Sequence, residues 1–204
     1  MAFNHKKFRR CGGDVEIGEF VAIKNPELVS LGDHVRICEF TRITCECELG
    51  DYTELHTGVS IAGGFGRRKF VLGDFSSIAA GTKIWLSSDD YRNALVTHAV
   101  PGVMEFEGDV VFGKYTGCGA NSVVMPDNHI PEGTVIGALS FVPMRFKFEA
   151  WSVYAGCPIR KVGERNKESV LAPLVSVIPA DAGIQDGKKE SYHDLDSRFH
   201  GDDK

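Results

Sequence analysis

An apolar side chain returns every six residues along this chain: Leu31, Ile37, Ile43, Leu49, Leu55 and Ile61, then Leu72, Ile78 and Ile84, then Phe112, Cys118, Val124, Ile130, Ile136 and Val142. Small residues often follow, as in Leu31-Gly32, Leu49-Gly50, Leu72-Gly73, Ile78-Ala79, Phe112-Gly113, Cys118-Gly119 and Ile136-Gly137. Val35, Thr41, Thr53, Val59, Ser76, Thr82, Thr116, Ser122 and Thr134 sit four residues on from the ruler positions. A period of six matches neither the helical repeat nor simple strand alternation.

A fixed period held over such a length marks a solenoid, whose short units cannot bury their apolar sides alone and are stabilised by stacking. The physical reading is an all-β parallel β-helix. Each hexapeptide supplies a short strand, one side chain enters a narrow triangular prism, and a small residue relieves crowding at the corner. We divide the chain into a lead-in over 1–14, repeats over 15–145 with an insertion at 86–109, a closing segment over 146–171, and a tail over 172–204 expected to be disordered. The tail lacks any apolar period, and its VIPADAGIQ and LDSRFHGDD resemble the translated form of a bacterial interspersed DNA repeat. Tyr192, His193 and His200 within it receive no catalytic role.

The net charge is −5, much of it in the tail, which argues against a nucleic-acid-binding surface. MAFNHKKFRR runs straight into polar sequence, so no signal peptide and no membrane insertion are expected. Six cysteines are dispersed rather than grouped as ligands or disulfides, which fits a reducing, cytoplasmic setting. In Cys45-Glu46-Cys47 the alternation of a strand puts both thiols on one face with no second ligand pair nearby, so no metal is expected.

Solenoids carry their chemistry on inserted loops. AGGFGRRKFV at 62–71 offers glycines beside Arg67, Arg68 and Lys69, a run that suits either a phosphate or a solvated corner, without the spacing of a Walker loop. The 86–109 insertion holds most of the candidate chemistry, and Tyr154-Ala155-Gly156-Cys157-Pro158-Ile159-Arg160-Lys161 forms the exit.

These repeats resemble the left-handed β-helix acyltransferases, the hexapeptide-repeat transferase superfamily, and the exit resembles the segment that closes their coenzyme site. The resemblance implies left-handed coils, a homotrimer of bacterial cytoplasm, and acetyl-coenzyme A (acetyl-CoA) lying in the groove between subunits. GCGANSVV at 117–124 and VIGALSFV at 135–142 are similar to two consecutive coenzyme-lining coils, which implicates Gly119, Ala120, Ala138 and Pro143. Arg160 matches the basic residue that meets the coenzyme phosphates. The family's next basic position falls on Gly163, so Lys161 or Arg165 takes that contact.

In the galactoside and maltose acetyltransferases a His-Pro pair serves at the start of the insertion. Here Leu86-Ser87-Ser88-Asp89-Asp90-Tyr91-Arg92 has no histidine there and resembles members that modify surface-glycan sugars, including those acetylating nucleotide-linked amino sugars of polysaccharide and lipopolysaccharide biosynthesis. An amine depends less on a dedicated base than a hydroxyl does. The expectation is therefore acetyl transfer to an amino or hydroxyl group of a sugar or nucleotide-sugar. Ser88, Asp89 and Tyr91 would contact the acceptor, and His98 and Asp90 are the candidates for the base. His56, directly after Leu55 at a corner, is a secondary candidate, and His129 suits a turn. A γ-class carbonic anhydrase would need three converging histidines, and no His-x4-His pair is present. A non-catalytic scaffold is the other alternative, but it has no use for the basic exit.

Overall fold

The computed structural model describes residues 7–64, 68–90, 92 and 105–175. Three parallel sheets close the prism. The first stacks Arg10–Cys11, Val29–Leu31, Glu46–Leu49, Lys69–Leu72, Val110–Phe112 and Asn128–Ile130. The second stacks Glu16–Ile17, Arg36–Ile37, Glu54–Leu55, Ser77–Ile78, Gly117–Cys118 and Val135–Ile136, then adds Ser152–Ala155 and an antiparallel Arg160–Glu164. The third stacks Ala22–Ile23, Arg42–Ile43, Ser60–Ala62, Lys83–Trp85, Val123–Val124 and Phe141–Val142. The chain visits the sheets in rotation, which makes a parallel β-helix of about six turns, consistent with the left-handed winding the resemblance implies.

The six-residue ruler is the interior of this prism. Leu31, Leu49, Leu72, Phe112 and Ile130 are register partners on successive strands of the first sheet, and every ruler residue is at most 3% exposed. The hydroxyl residues four places on are buried but satisfied. Thr82 and Ser122 donate to the carbonyls of Gly119 and Gly137 at 3.1 and 3.0 Å, and Thr116 donates to Gly113 at 2.9 Å. A small side chain that fits the corner and carries a donor removes the cost of an orphaned carbonyl there.

The corner between the first and second sheets departs from the expectation of small residues alone. His34, Tyr52, Phe75, Tyr115 and Trp151 all adopt positive φ, between 55 and 59°, and form a column of rings with centroids 4.4, 4.9, 5.6 and 6.2 Å apart. Ring-on-ring contact along the solenoid offsets a backbone conformation that bulky residues otherwise avoid.

The first strand, Arg10–Cys11, pairs with Val29–Leu31 ahead of the point where the aliphatic period begins. At the other end, Asn128 pins the exit: its side-chain amide donates to the carbonyls of Met125 and Pro143 at 2.8 and 2.9 Å and accepts from the Phe146 N–H at 2.9 Å. Contacts divide the chain into units 1–167 and 168–204. Of the second unit the structure describes only part of a helix, Lys167–Val175, which contains Pro173. The tail beyond 175, with Tyr192, His193 and His200, lies outside the described residues.

Cys45, Cys47 and Cys118 face the interior, where burial raises all three thiols, Cys45 and Cys118 to about 12. Cys157 is exposed. A thiol reagent under native conditions is expected to modify Cys157 promptly and these three only on unfolding, which mass spectrometry of the labelled protein reads directly.

Candidate active site

The insertion begins as an ordered hairpin stem. Leu86 is fully buried and anchors it, its N–H donating to the Ala62 carbonyl at 2.8 Å while its own carbonyl accepts from Gly108 at 3.1 Å. Ser87–Asp89 then pairs antiparallel with Glu105–Glu107, Ser88 opposite Phe106. Gly63, at φ 103°, lies under this stem so closely that a Cβ there would stand 2.6 Å from the Ser87 nitrogen.

Ser88, Asp89 and Asp90 are thus brought together at the end of the stem. The Ser88 hydroxyl donates to the Asp89 carbonyl at 3.3 Å. Asp90 is only 6% exposed, and its carboxylate takes both the backbone N–H and the Nε of Arg92, at 3.2 and 3.1 Å. A carboxylate so engaged is fixed in orientation. Tyr91 and His98 lie outside the described residues, as do Gly66 and Arg67. Arg68 Nε stands 4.0 Å from Glu107, and Lys69 Nζ 3.2 Å from Glu48. The two described cations of the basic run are therefore turned onto carboxylates of their own protein.

The residues singled out for the coenzyme separate into two places. At the corner between the second and third sheets, Ala79-Ala80, Gly119-Ala120, Gly137-Ala138 and Ala155-Gly156 lie on successive coils, joined by Ala79 N–H to Cys118 O, Gly119 N–H to Ile136 O and Gly137 N–H to Tyr154 O at 2.7–2.8 Å. They form a trough of small residues. Arg160 pairs opposite Ala155 at the end of this trough, is exposed, and its side chain makes no hydrogen bond or ion pair to a described residue. Pro143 does not join them: the strand Phe141–Val142 carries it across the third sheet to the next corner, where its carbonyl is held by Asn128.

Lys161 points to Glu149 and Glu164, 2.7 and 3.4 Å away, and the bond to Glu149 raises its pKa. Arg165 is given over to structure. Its guanidinium donates to the carbonyls of Tyr115 and Gly133, and burial lowers its pKa. Of these three basic residues near the exit, only Arg160 has a side chain without a partner among the described residues.

A polar cluster on the outer face of the second sheet is organised by the coil length. Glu54 lies eighteen residues after Arg36, directly above it in the ladder. Arg36 bridges Glu54 at 3.2 Å and Glu16 at 3.3 Å, and His56 Nε2 lies 3.2 Å from the other Glu54 oxygen. The hydrogen bond between them raises the His56 pKa and lowers that of Glu54. The Cys38 thiol approaches Glu54 at 3.7 Å and is pushed up to about 11, chiefly by burial. Sequence reasoning picked out His56 but not its partners. Laying Arg36 over Glu54 and Cys38 over His56 at the coil repeat is the signal that would have found them.

A cleft of about 480 Å³ opens beside the exit, between Asp109, Val111 and His129 on one side and Arg145, Phe146 and Phe148 on the other. Arg145 is bound to Asp127 at 2.6 Å.

Over 177 residues, spanning 81% of this chain and 90% of the relative, the sequence is 30% identical to a dTDP-4-amino-4,6-dideoxy-D-glucose acyltransferase of Escherichia coli. The chain belongs to the hexapeptide-repeat acyltransferases. No family model matches it. Among solved structures, this acyltransferase is similar to AntD, an N-acyltransferase from Bacillus cereus bound to dTDP and 3-hydroxybutyryl-CoA. The TM-score is 0.76 with 28% identity over 83% of this chain and 89% of that one. A variant of AntD with a serine replaced by alanine, bound to dTDP-4-amino-4,6-dideoxyglucose and coenzyme A, matches at a TM-score of 0.76 with 29% identity over 83% and 90% of the two chains. No helix among the described residues of the acyltransferase is long and apolar enough to cross a membrane.

Proposed function

We propose that this acyltransferase moves an acetyl group from acetyl-CoA to the amino group of a nucleotide-linked deoxysugar, a precursor of a surface polysaccharide. The observation that carries the reading is the 30% identity, across most of both chains, to an enzyme acting on dTDP-4-amino-4,6-dideoxy-D-glucose. The pantetheine arm runs along the trough of Ala79, Gly119, Ala120 and Ala138, where backbone and methyl groups allow close approach, and Arg160 meets the phosphates with a forked donor set. Ser88, Asp89 and Asp90 face the acceptor, with Tyr91 assigned to it from the sequence. Asp90, held by Arg92, orients the amine rather than accepting its proton. The working form is a homotrimer in the cytoplasm, with the acceptor between the 86–109 insertion and a neighbouring subunit. The stacked and exposed Phe20 and Phe40, with Leu139, supply apolar surface for such contacts.

The test is thiol release from acetyl-CoA with dTDP-4-amino-4,6-dideoxyglucose, beside hydroxyl-bearing dTDP-sugars and longer acyl donors. Release with the amino sugar alone bears the reading out. Release with hydroxyl sugars moves it to O-acylation, and absence of both turnover and coenzyme binding by calorimetry overturns it. Arg160→Ala is expected to raise KM for acetyl-CoA about tenfold or more, since a charge-assisted hydrogen bond contributes ~1.5 kcal/mol or more. The melting temperature should hardly move, because the strand pairing of Arg160 uses its backbone, which alanine keeps, and its exposed guanidinium has no partner among the described residues.

A further inference from the structure

The Arg36–Glu54–His56 cluster has an organisation that stability does not require. Four groups run along the outer face of the second sheet, Glu16 to Arg36 to Glu54 to His56, each tied to the next at 3.2–3.3 Å. The series ends in an imidazole whose side chain is 43% exposed. Exposed ion pairs contribute little to folding, whereas a fixed carboxylate behind a histidine selects one tautomer and one ring orientation. With Nε2–H given to Glu54, Nδ1 holds the lone pair.

The surroundings of His56 point the same way. His56 stands at the same corner as Ala79, Gly119 and Gly137, its N–H donating to Ile78 O as theirs do one coil further on. Above Glu54 the outward row reads Ser77 and then Gly117. Among the described residues, Ser77 and Gly117 above Glu54 and Ala79 above His56 are all small, so over two strand spacings, about 10 Å, a linear ligand lying along those small residues would end against His56.

We infer that His56, oriented by Glu54 and with Glu54 held in turn by Arg36, is the general base of the acyl transfer. The inference rests on the proposed course of the coenzyme along the trough. The neutral amine nitrogen attacks the thioester carbonyl carbon, forming the N–C bond and pushing the C=O pair onto oxygen. His56 takes a proton from the now cationic nitrogen. As the carbonyl reforms, the C–S bond breaks, and the imidazolium returns the proton to the leaving sulfur, so that amide and free coenzyme A thiol result with the base restored.

Among the described residues, the charged and titratable groups facing His56 are Glu54 beside it, and Arg36 and Cys38 from the coil below; Ser77 and Ala79 above add none. The donor atoms of Cys38, Glu54 and His56 lie within 4.8 Å of one another. The cluster is an oriented histidine rather than a metal centre, because the Arg36 guanidinium occupies one Glu54 oxygen and the His56 imidazole the other.

His56→Gln is expected to lower kcat about a hundredfold or more, the range of general-base catalysis, with coenzyme affinity by calorimetry unchanged. His56→Ala should recover part of the rate with added imidazole, which guards against a merely misfolded variant. Wild-type kcat/KM should fall as pH drops through the raised His56 pKa. Glu54→Gln removes the main cause of that elevation, so the acidic limb should move to lower pH, as should the imidazole titration followed by NMR. A His56→Gln enzyme that keeps its rate and pH profile while the wild type turns over overturns the inference alone. A wild type that binds no acyl-CoA overturns it together with the proposed function. Activity lost to a chelator and restored by zinc overturns it in favour of a metal centre.

Discussion

Replacing Phe112 by alanine is expected to lower the unfolding free energy by about 3–5 kcal/mol, the range for emptying a buried aromatic site. Phe112 is completely buried and meets Phe70 edge to face, with centroids 6.0 Å apart. Its register partners are Leu72 on one strand and Ile130 on the next, so the ring fills a slot that aliphatic side chains occupy in the adjoining coils. The cavity cannot collapse readily, because both flanking strands are locked in the ladder: the N–H groups of Gly73 and Gly113 donate to Phe112 O and Ile130 O, both at 2.8 Å. A denaturant titration should show a lower midpoint with an unchanged slope. Phe141→Ala is the contrast, since Phe141 faces outward and is 37% exposed, and its midpoint should move far less.

Gly119→Val tests what holds the corner of the trough. A Cβ on Gly119 would stand 2.2 Å from the Ala138 nitrogen and 2.6 Å from the Gly137 carbonyl carbon, backbone atoms that cannot step aside as a side chain can. The two coils must part, at an expected cost of about 1–3 kcal/mol or more, read as a lower melting temperature before any substrate is added. Ala138→Leu gives the complementary result. Ala138 is exposed and its side chain leaves the prism, so stability should hold while KM for acetyl-CoA rises. If both variants lose coenzyme affinity at unchanged stability, Gly119 serves the ligand rather than the fold.

The two glycine-alanine pairs show how far a repeat can be read. Gly119 and Gly137 were legible as corner residues because a six-residue period leaves no other place for them. That Ala120 and Ala138 share one edge while Pro143 lies at the next follows from the coil repeat once it is laid out, since 120 and 138 are eighteen residues apart and Pro143 follows the next ruler residue, Val142. The aromatic column from His34 to Trp151 was not legible. Its members lie many residues apart and adopt a conformation normally left to glycine, and only stacking between coils makes that conformation tolerable. Arg165 suited a phosphate contact by its position after the exit. Its actual partners, the carbonyls of Tyr115 and Gly133, belong to two corners far earlier in the chain.

The sequence alone determined the class of fold and its interior, since a side chain that recurs every six residues over such a length is buried only when short strands stack into a solenoid. Ile37, Leu55, Ile78 and Ile136 follow from that rule without knowledge of any partner. Only the tertiary structure decided which polar residues meet. Arg36, Glu54 and His56 became neighbours through the length of one coil, the stem of the insertion through the pairing of Ser88 with Phe106, and the free cation of the exit through the carboxylates that claim Lys161. Burial of apolar surface is non-directional and can be read from a period, whereas a hydrogen bond or ion pair needs two particular atoms within about 3 Å, and that distance exists only once the chain has closed on itself.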